Sequence, residues 1–177
     1  MFEIDAFVAG CQAALTESQP MLAIKEILDR AMTEPGALAA ALDGLGIGLL
    51  HRSADLTVAN VVVPARSPQS PPHDHRMWAL VGIYAGQEDN QFFRRADGGL
   101  AESGGRSLHV SDTIAMGDDT IHAIRNPLAR SALAAIHVYG GDLFGTERSM
   151  WTGPDHDERP YDDKKVVGPG GIKDLRQ

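Results

Sequence analysis

Along the first 43 residues the apolar positions repeat at helical spacing. Phe7, Val8, Cys11, Ala14 and Leu15 form one stripe behind Asp5, which the pattern makes an N-cap. Pro20 stands where a first helical turn accepts proline. Leu22, Ile24, Ile27, Leu28 and Ala31 then form a second stripe that stops at Pro35-Gly36. A short run from Ala37 to Leu42 ends at Asp43-Gly44. Such stripes predict helices that lay an apolar face on a larger body. Cys11, on the first stripe, reads as a buried and inert thiol.

From about residue 46 the pattern changes to short β-branched and alternating runs. Leu56 to Val63 closes at Pro64, and Met77 to Ala85 ends at Gly86. Gln91 to Arg95, Arg106 to Val110, Thr113 to Met116, Ile121 to Arg125 and Ser131 to Tyr139 follow. Turn signals separate them at Ala96-Asp-Gly-Gly99, Gly104-Gly105, Gly117-Asp-Asp119 and Asn126-Pro127. Seven or eight short strands with tight turns and no interposed helices predict a β-sandwich or barrel, not a parallel α/β sheet. The stretch from Met150 to Gln177 is polar and rich in Gly, Pro and Asp, and is expected to wrap the surface or fray.

Length and charge narrow the class. A chain of 177 residues is the size of one domain and can bury a core without disulfides, which a lone cysteine excludes in any case. Sixteen Lys+Arg against 24 Asp+Glu leave a net charge of −8, which repels phosphate backbones and anionic membrane surfaces. Met77 to Gly86 is too short to span a bilayer, and no basic N-terminus precedes an apolar run. A soluble, cytoplasmic protein is expected. Self-association is left open.

Seven histidines against one cysteine direct metal chemistry to imidazole. His73-Asp74-His75 is the sharpest feature: on a strand both rings project from one face and Asp74 from the other. His122 follows 47 residues after His75, room for antiparallel strands to bring it back beside the pair. A three-histidine metal site is the expectation. His109 has no partner at ligand spacing, and His51, beside Arg52, could line the mouth of a site but has nothing in the sequence to position it. The acidic run Asp155-His-Asp-Glu158 with Asp162-Asp163 lacks the glycine and spacing of a calcium loop and reads as a solvated charge run.

His73-x-His75 followed by Gly86, then His122 with Asn126 four residues on, resembles the two motifs of the cupin superfamily over roughly residues 46–145. The resemblance implies a mainly β fold, a cupin double-stranded β-helix (jelly-roll barrel) with the N-terminal helices packed on it. The chain then divides into a helical segment 1–45, a barrel 46–145 and a polar tail 146–177. Two departures stand out. Ala79 and Leu80 occupy the region where many cupins carry a glutamate ligand, and Gly117 and Asp119 replace a Pro-x-Gly. Three neutral histidines leave a divalent ion its full charge.

Among cupins the pattern is similar to the three-histidine thiol dioxygenases, the cysteine dioxygenase group, through Pro71-Pro-His-Asp-His75 and His137-Val-Tyr139. The resemblance implies Fe(II) held by His73, His75 and His122, with Tyr139 donating to substrate or oxygen and His137 orienting it. Zn(II), Ni(II) or Mn(II) suit the same donors. Arg52 is the nearest match to the group's carboxylate-binding arginine. Ala135 stands where that group has a serine, and Leu80 where some members cross-link a cysteine to the tyrosine. Trp78 alternates away from the histidines and is expected to face the N-terminal helices. The implied reaction converts a small thiol and O2 to a sulfinate. The alternatives are other metal-dependent cupin chemistry (C–C dioxygenase, isomerase or hydrolase) and a non-catalytic cupin that binds a metal or small molecule.

Overall fold

A computed structural model describes residues 2–166 and 173–174. Three helices open the chain: α1 (Ile4–Ala14), α2 (Pro20–Ala31) and α3 (Pro35–Ala41). Proline occupies the first turn of α2 and of α3, where its missing N–H costs no hydrogen bond. The N-cap of α1 is Glu3, not Asp5. Its side chain makes no capping bond, and Asp5 lies inside the first turn, where its negative charge faces the positive end of the helix dipole.

The strands are β1 (Gly48–Arg52), β2 (Thr57–Val63), β3 (His73–Asp74), β4 (Ala79–Ala85), β5 (Gln87–Ala96) and β6 (Gly99–His109). After them come β7 (Thr113–Met116), β8 (Ile121–Arg125), β9 (Leu133–Tyr139), β10 (Ser149–Thr152) and β11 (Asp157–Pro160). A short helix, α4 (Asp163–Val166), and β12 (Lys173–Asp174) end the described chain. Two six-stranded sheets result, in the orders β12-β1-β2-β9-β4-β7 and β11-β10-β3-β8-β5-β6. Apart from the parallel β1–β12 pair, neighbours run antiparallel. From β2 to β9 the chain crosses between the sheets at every step except the β5–β6 hairpin, which is the double-stranded β-helix, or jelly roll.

Strand β9 shows how one sequence serves two layers. Ala134, Ile136 and Val138 join Phe7, Cys11, Ile24, Leu28 and Leu38 in the core between the first sheet and the helices. Leu133, Ala135 and Tyr139 turn the other way, into the barrel with Val81, Ile83 and Leu108. Trp78 packs on the helical side, as alternation predicts. Burial pushes the Cys11 thiol up to about 12, so it is unreactive at neutral pH. Leu22 departs from the predicted stripe and faces solvent.

Two expectations need correction, and one strand was not foreseen. Gly104-Gly105 is not a turn but lies inside β6, which pairs with β5 along a long hairpin whose turn is at Asp97-Gly98. The outer part of that hairpin is solvated on both faces, so the period-two signal is lost there. Strand β1 lies within the expected barrel span 46–145, although its local pattern was too short to announce a strand. The polar tail does not merely wrap or fray: β10 pairs with β3, and Met150 and Trp151 are buried. Gly86 ends β4 at φ +75°, and a Cβ there would meet the Ala132 carbonyl oxygen at 2.5 Å, so only glycine makes this turn. No helix among the described residues is long and apolar enough to cross a membrane.

Candidate metal centre

Register brings the histidines together. On the second sheet β3 lies beside β8, with His73 directly opposite His122. His75 follows just past β3, and Arg76 then takes a left-handed conformation (φ +56°) that turns the chain away. Ring centroids are 4.7 Å apart for His73 and His122, 5.0 Å for His75 and His122, and 5.3 Å for His73 and His75. One nitrogen from each ring lies within 4.8 Å of the others. Asp74 points the opposite way, as alternation requires. Its carboxylate accepts the Ser149 N–H at 2.8 Å and pairs with Arg76, which fastens the C-terminal hairpin to β3.

The outer nitrogens set the tautomers. His73 Nδ1 donates to the Pro71 carbonyl at 3.1 Å, and His122 Nδ1 donates to Asn90 Oδ1 at 2.8 Å. Both rings therefore turn an Nε2 lone pair inward. His122 Nε2 and His75 Nε2 stand 3.4 Å apart. Burial drives all three imidazoles towards the neutral form: His73 falls to about 4, and His75 and His122 lie well below their ordinary value. His75 Nδ1 has no hydrogen-bond partner among the described residues, and its Nε2 either donates to the His122 Nε2 lone pair or, once deprotonated there, joins the other two nitrogens as a metal ligand. The donor set thus fits a divalent metal, and imidazole nitrogen suits Fe, Zn, Ni and Mn.

His137 and Tyr139 share the chamber. Their Nδ1 and hydroxyl oxygen are 2.9 Å apart, and the Tyr139 ring meets His75 edge-on at 5.0 Å. Burial holds His137 down at about 3 and pushes the Tyr139 phenol well above its ordinary value, so both are neutral. When Nδ1 carries the hydrogen, His137 donates to the phenol oxygen and leaves the O–H free to point at a ligand. Ala135 lies two residues before His137, inward-facing and without a polar group to extend the chain.

The structure therefore brings together His73, His75, His122, His137 and Tyr139 around one chamber of about 30 Å³. Arg52 does not line it. Its guanidinium makes a two-pronged pair with Asp142 at 2.7 and 2.9 Å and lies over the Phe144 ring, half exposed. The cation at the chamber is Arg148, from the segment expected to be a loose tail. It stacks 3.6 Å above the ring of Tyr161, which in turn meets His73 at 5.8 Å. Arg148 Nε is buried with no hydrogen-bond partner among the described residues. Beyond this stack opens a cleft of about 920 Å³. His109 is exposed beside Asp112, and His51 is half-buried on β1 away from the chamber lining. Sequence reasoning also passed over Asn90 and Glu88, which alternate inward on β5.

No protein-family model matches the chain. Among solved structures it is similar to the DMSP lyase DddQ from Ruegeria pomeroyi DSS-3, at 22% identity and a TM-score of 0.43, covering 55% of this chain and 44% of that one. It is also similar to an RmlC-like cupin family protein with a double-stranded β-helix fold from Methanocaldococcus jannaschii, at 11% identity and a TM-score of 0.45, covering 56% and 82%. A third likeness is to an oxalate oxidase, at 17% identity and a TM-score of 0.40, covering 49% and 42%. The chain thus spans less than half the length of the first and third of these.

Proposed function

We propose that this chain is a metal-dependent dioxygenase that converts a small anionic thiol and O2 to a sulfinate. The observation that carries the reading is the convergence of three buried, neutral histidines with no carboxylate among them. His73, His75 and His122 would hold the metal, with Fe(II) the expected ion. When bound, the metal supplies a positive charge that favours thiolate over thiol and a redox centre for dioxygen. The overall change, R–SH + O2 → R–SO2H, oxidises sulfur by four electrons and reduces both oxygen atoms, which end on sulfur.

The chain's own groups do the rest. Tyr139 stays protonated and offers its hydroxyl to the developing negative charge, while His137 fixes the direction of that O–H. The apolar walls of the barrel exclude water. Arg148 takes the part that the resemblance assigned to Arg52: its unsatisfied Nε can receive a substrate carboxylate. A chamber of about 30 Å³ has room for about one water, so a thiol reaches the histidines when the Arg148–Tyr161 stack swings towards the adjoining cleft.

Oxygen uptake by the Fe(II)-loaded protein across a panel of small thiols, with and without a carboxylate, tests the reading. Stoichiometric sulfinate from a carboxylate-bearing thiol is the expected result. Tight binding of zinc or nickel with no uptake for any thiol overturns it in favour of another metal-dependent chemistry.

A further inference from the structure

Strand β5 sends three consecutive inward residues along the back of one proposed ligand. Phe92 pairs in register with His122, and their rings lie nearly parallel, 14° apart, at 6.4 Å between centroids. Asn90, one step along, accepts the His122 Nδ1–H through Oδ1 at 2.8 Å. Glu88, a further step on, accepts from Asn90 Nδ2 through Oε1 at 2.8 Å. All the polar groups of this chain are buried, and Glu88 is fully so. Glu88 Oε2 has no hydrogen-bond partner among the described residues. A buried carboxyl with no cation beside it is costly to keep, and burial pushes Glu88 up to about 7 against a partial offset from Asn90.

Directionality makes the chain more than packing. A side-chain amide can turn over, presenting NH2 or oxygen to the same neighbour. If Asn90 turned its NH2 to His122, that ring would have to accept through Nδ1 and carry its hydrogen on Nε2, facing the other histidines. Metal binding through Nε2 would then require loss of that hydrogen. As a carboxylate Glu88 prevents this, because it has no hydrogen to donate: it accepts the Asn90 NH2 and holds the amide oxygen towards His122.

We infer that Glu88, acting through Asn90, is a positioning residue that locks His122 in the tautomer able to bind metal through Nε2. The inference rests on the metal-centre reading above and extends it to two residues that touch no substrate. Removal of such a partner behind a ligand histidine typically weakens metal binding about 10- to 100-fold.

The test uses the full chain titrated with Co(II), whose visible ligand-field bands report the donor set. Asn90→Leu is expected to weaken Co(II) binding about 10- to 100-fold and alter the bands, while Asn90→Asp, which keeps an acceptor for His122, restores both. Glu88→Leu is expected to weaken binding severalfold, and Glu88→Gln, whose amide oxygen still accepts from Asn90, to return it towards wild type. Circular dichroism of the metal-free variants identifies any that fail to fold. Independently of every variant, nitrogen NMR of the metal-free wild type should show His122 with its hydrogen on Nδ1. A His122 hydrogen predominantly on Nε2, or folded leucine variants that bind Co(II) like wild type, overturns the inference while leaving the metal centre intact. A wild-type chain that binds no Co(II) overturns the metal centre itself, and the inference with it.

Discussion

The barrel carries an appendage at each end, and the two contribute in opposite ways. The N-terminal helices present regular apolar stripes and bury them on the outer face of the first sheet, in contact with Leu80, Ile136 and Val138. They bring no side chain to the histidine chamber. The C-terminal hairpin is polar and gave no such stripe, yet β10 pairs with β3 and carries Arg148 and Tyr161 to the chamber mouth. A strong hydrophobic pattern marks what holds the fold together. The residues that shape the site's entrance come from a segment held by a few directed bonds, such as Asp74 to the Ser149 N–H and Arg95 to Glu158.

Truncation in the helical layer should produce the largest change. Leu28 is fully buried between α2 and the first sheet, and Leu28→Ala removes its contacts and leaves a cavity worth about 2–5 kcal/mol. Urea unfolding should show this loss, while Co(II) titration of the folded variant should still give one ion per chain. A variant that loses the ion while folded would break the division between the two appendages.

The next effect is confined to the chamber and reads out with pH. His73 and His137 have folded values lowered to about 4 and about 3 from an ordinary 6.5, because burial disfavours their charged forms. Their contribution to stability is complete above pH 6.5 and is lost as pH falls towards those lowered values. For His73 alone that amounts to about 3 kcal/mol. Glu88 works in the other direction: raised to about 7 by burial, it contributes fully below about 4.5 and its contribution is lost as pH rises through 7. Two histidine contributions outweigh one carboxyl between about pH 4.5 and 6.5, so urea midpoints of the metal-free protein should fall as pH drops below about 6.5, with Glu88 offsetting part of the loss. Glu88→Gln removes that offset and should steepen the loss on the acid side. A midpoint that is level from pH 8 to 5 would contradict the burial of these groups.

How much of this was legible in the sequence follows from the range over which each signal acts. His73 and His75 share a face by strand geometry, and His137 and Tyr139 by the same alternation, so local pattern suffices. His122 was found by residue type and by the distance along the chain that several strands need. Arg148 and Tyr161 depend on the pairing of β10 with β3 across more than 70 residues, which no local pattern encodes. Glu88 and Asn90 fail for another reason. Alternation is read by placing polar residues outward, so polar residues that face inward shorten the predicted strand to Gln91–Arg95, whereas β5 begins at Gln87. Buried polar networks are invisible to a hydrophobic pattern because they break it.

Two arginines sharpen the comparison at smaller cost. Arg148→Ala should raise KM for a carboxylate-bearing thiol about 10- to 100-fold, the value of one charge-assisted hydrogen bond, and leave a neutral thiol of the same size nearly unaffected. Steady-state oxygen uptake separates the two substrates. Equal effects on both would show that Arg148 acts only as a wall.

The smallest effect belongs to Arg52. Its guanidinium holds the Asp142 carboxyl down at about 2, chiefly through their direct hydrogen bonds, and both side chains are substantially exposed. Water and salt screen such a pair, and exposed pairs contribute about 1 kcal/mol or less. The Asp142 carboxylate also accepts the Phe144 N–H at 3.0 Å, so the turn it caps survives without the arginine. Arg52→Ala should accordingly lower stability by less than about 1 kcal/mol, an effect that shrinks in salt, and leave KM for a carboxylate-bearing thiol within twofold. The sign of the pH effect follows from Asp142: with its folded value below the ordinary 3.8, the pair's contribution is present above about pH 4 and lost as pH falls through 2. Urea unfolding at low and high salt, paired with oxygen uptake on the same variant, measures both. A tenfold rise in KM at Arg52 with none at Arg148 would return substrate recognition to the barrel's first strand and leave the C-terminal hairpin a purely structural cover.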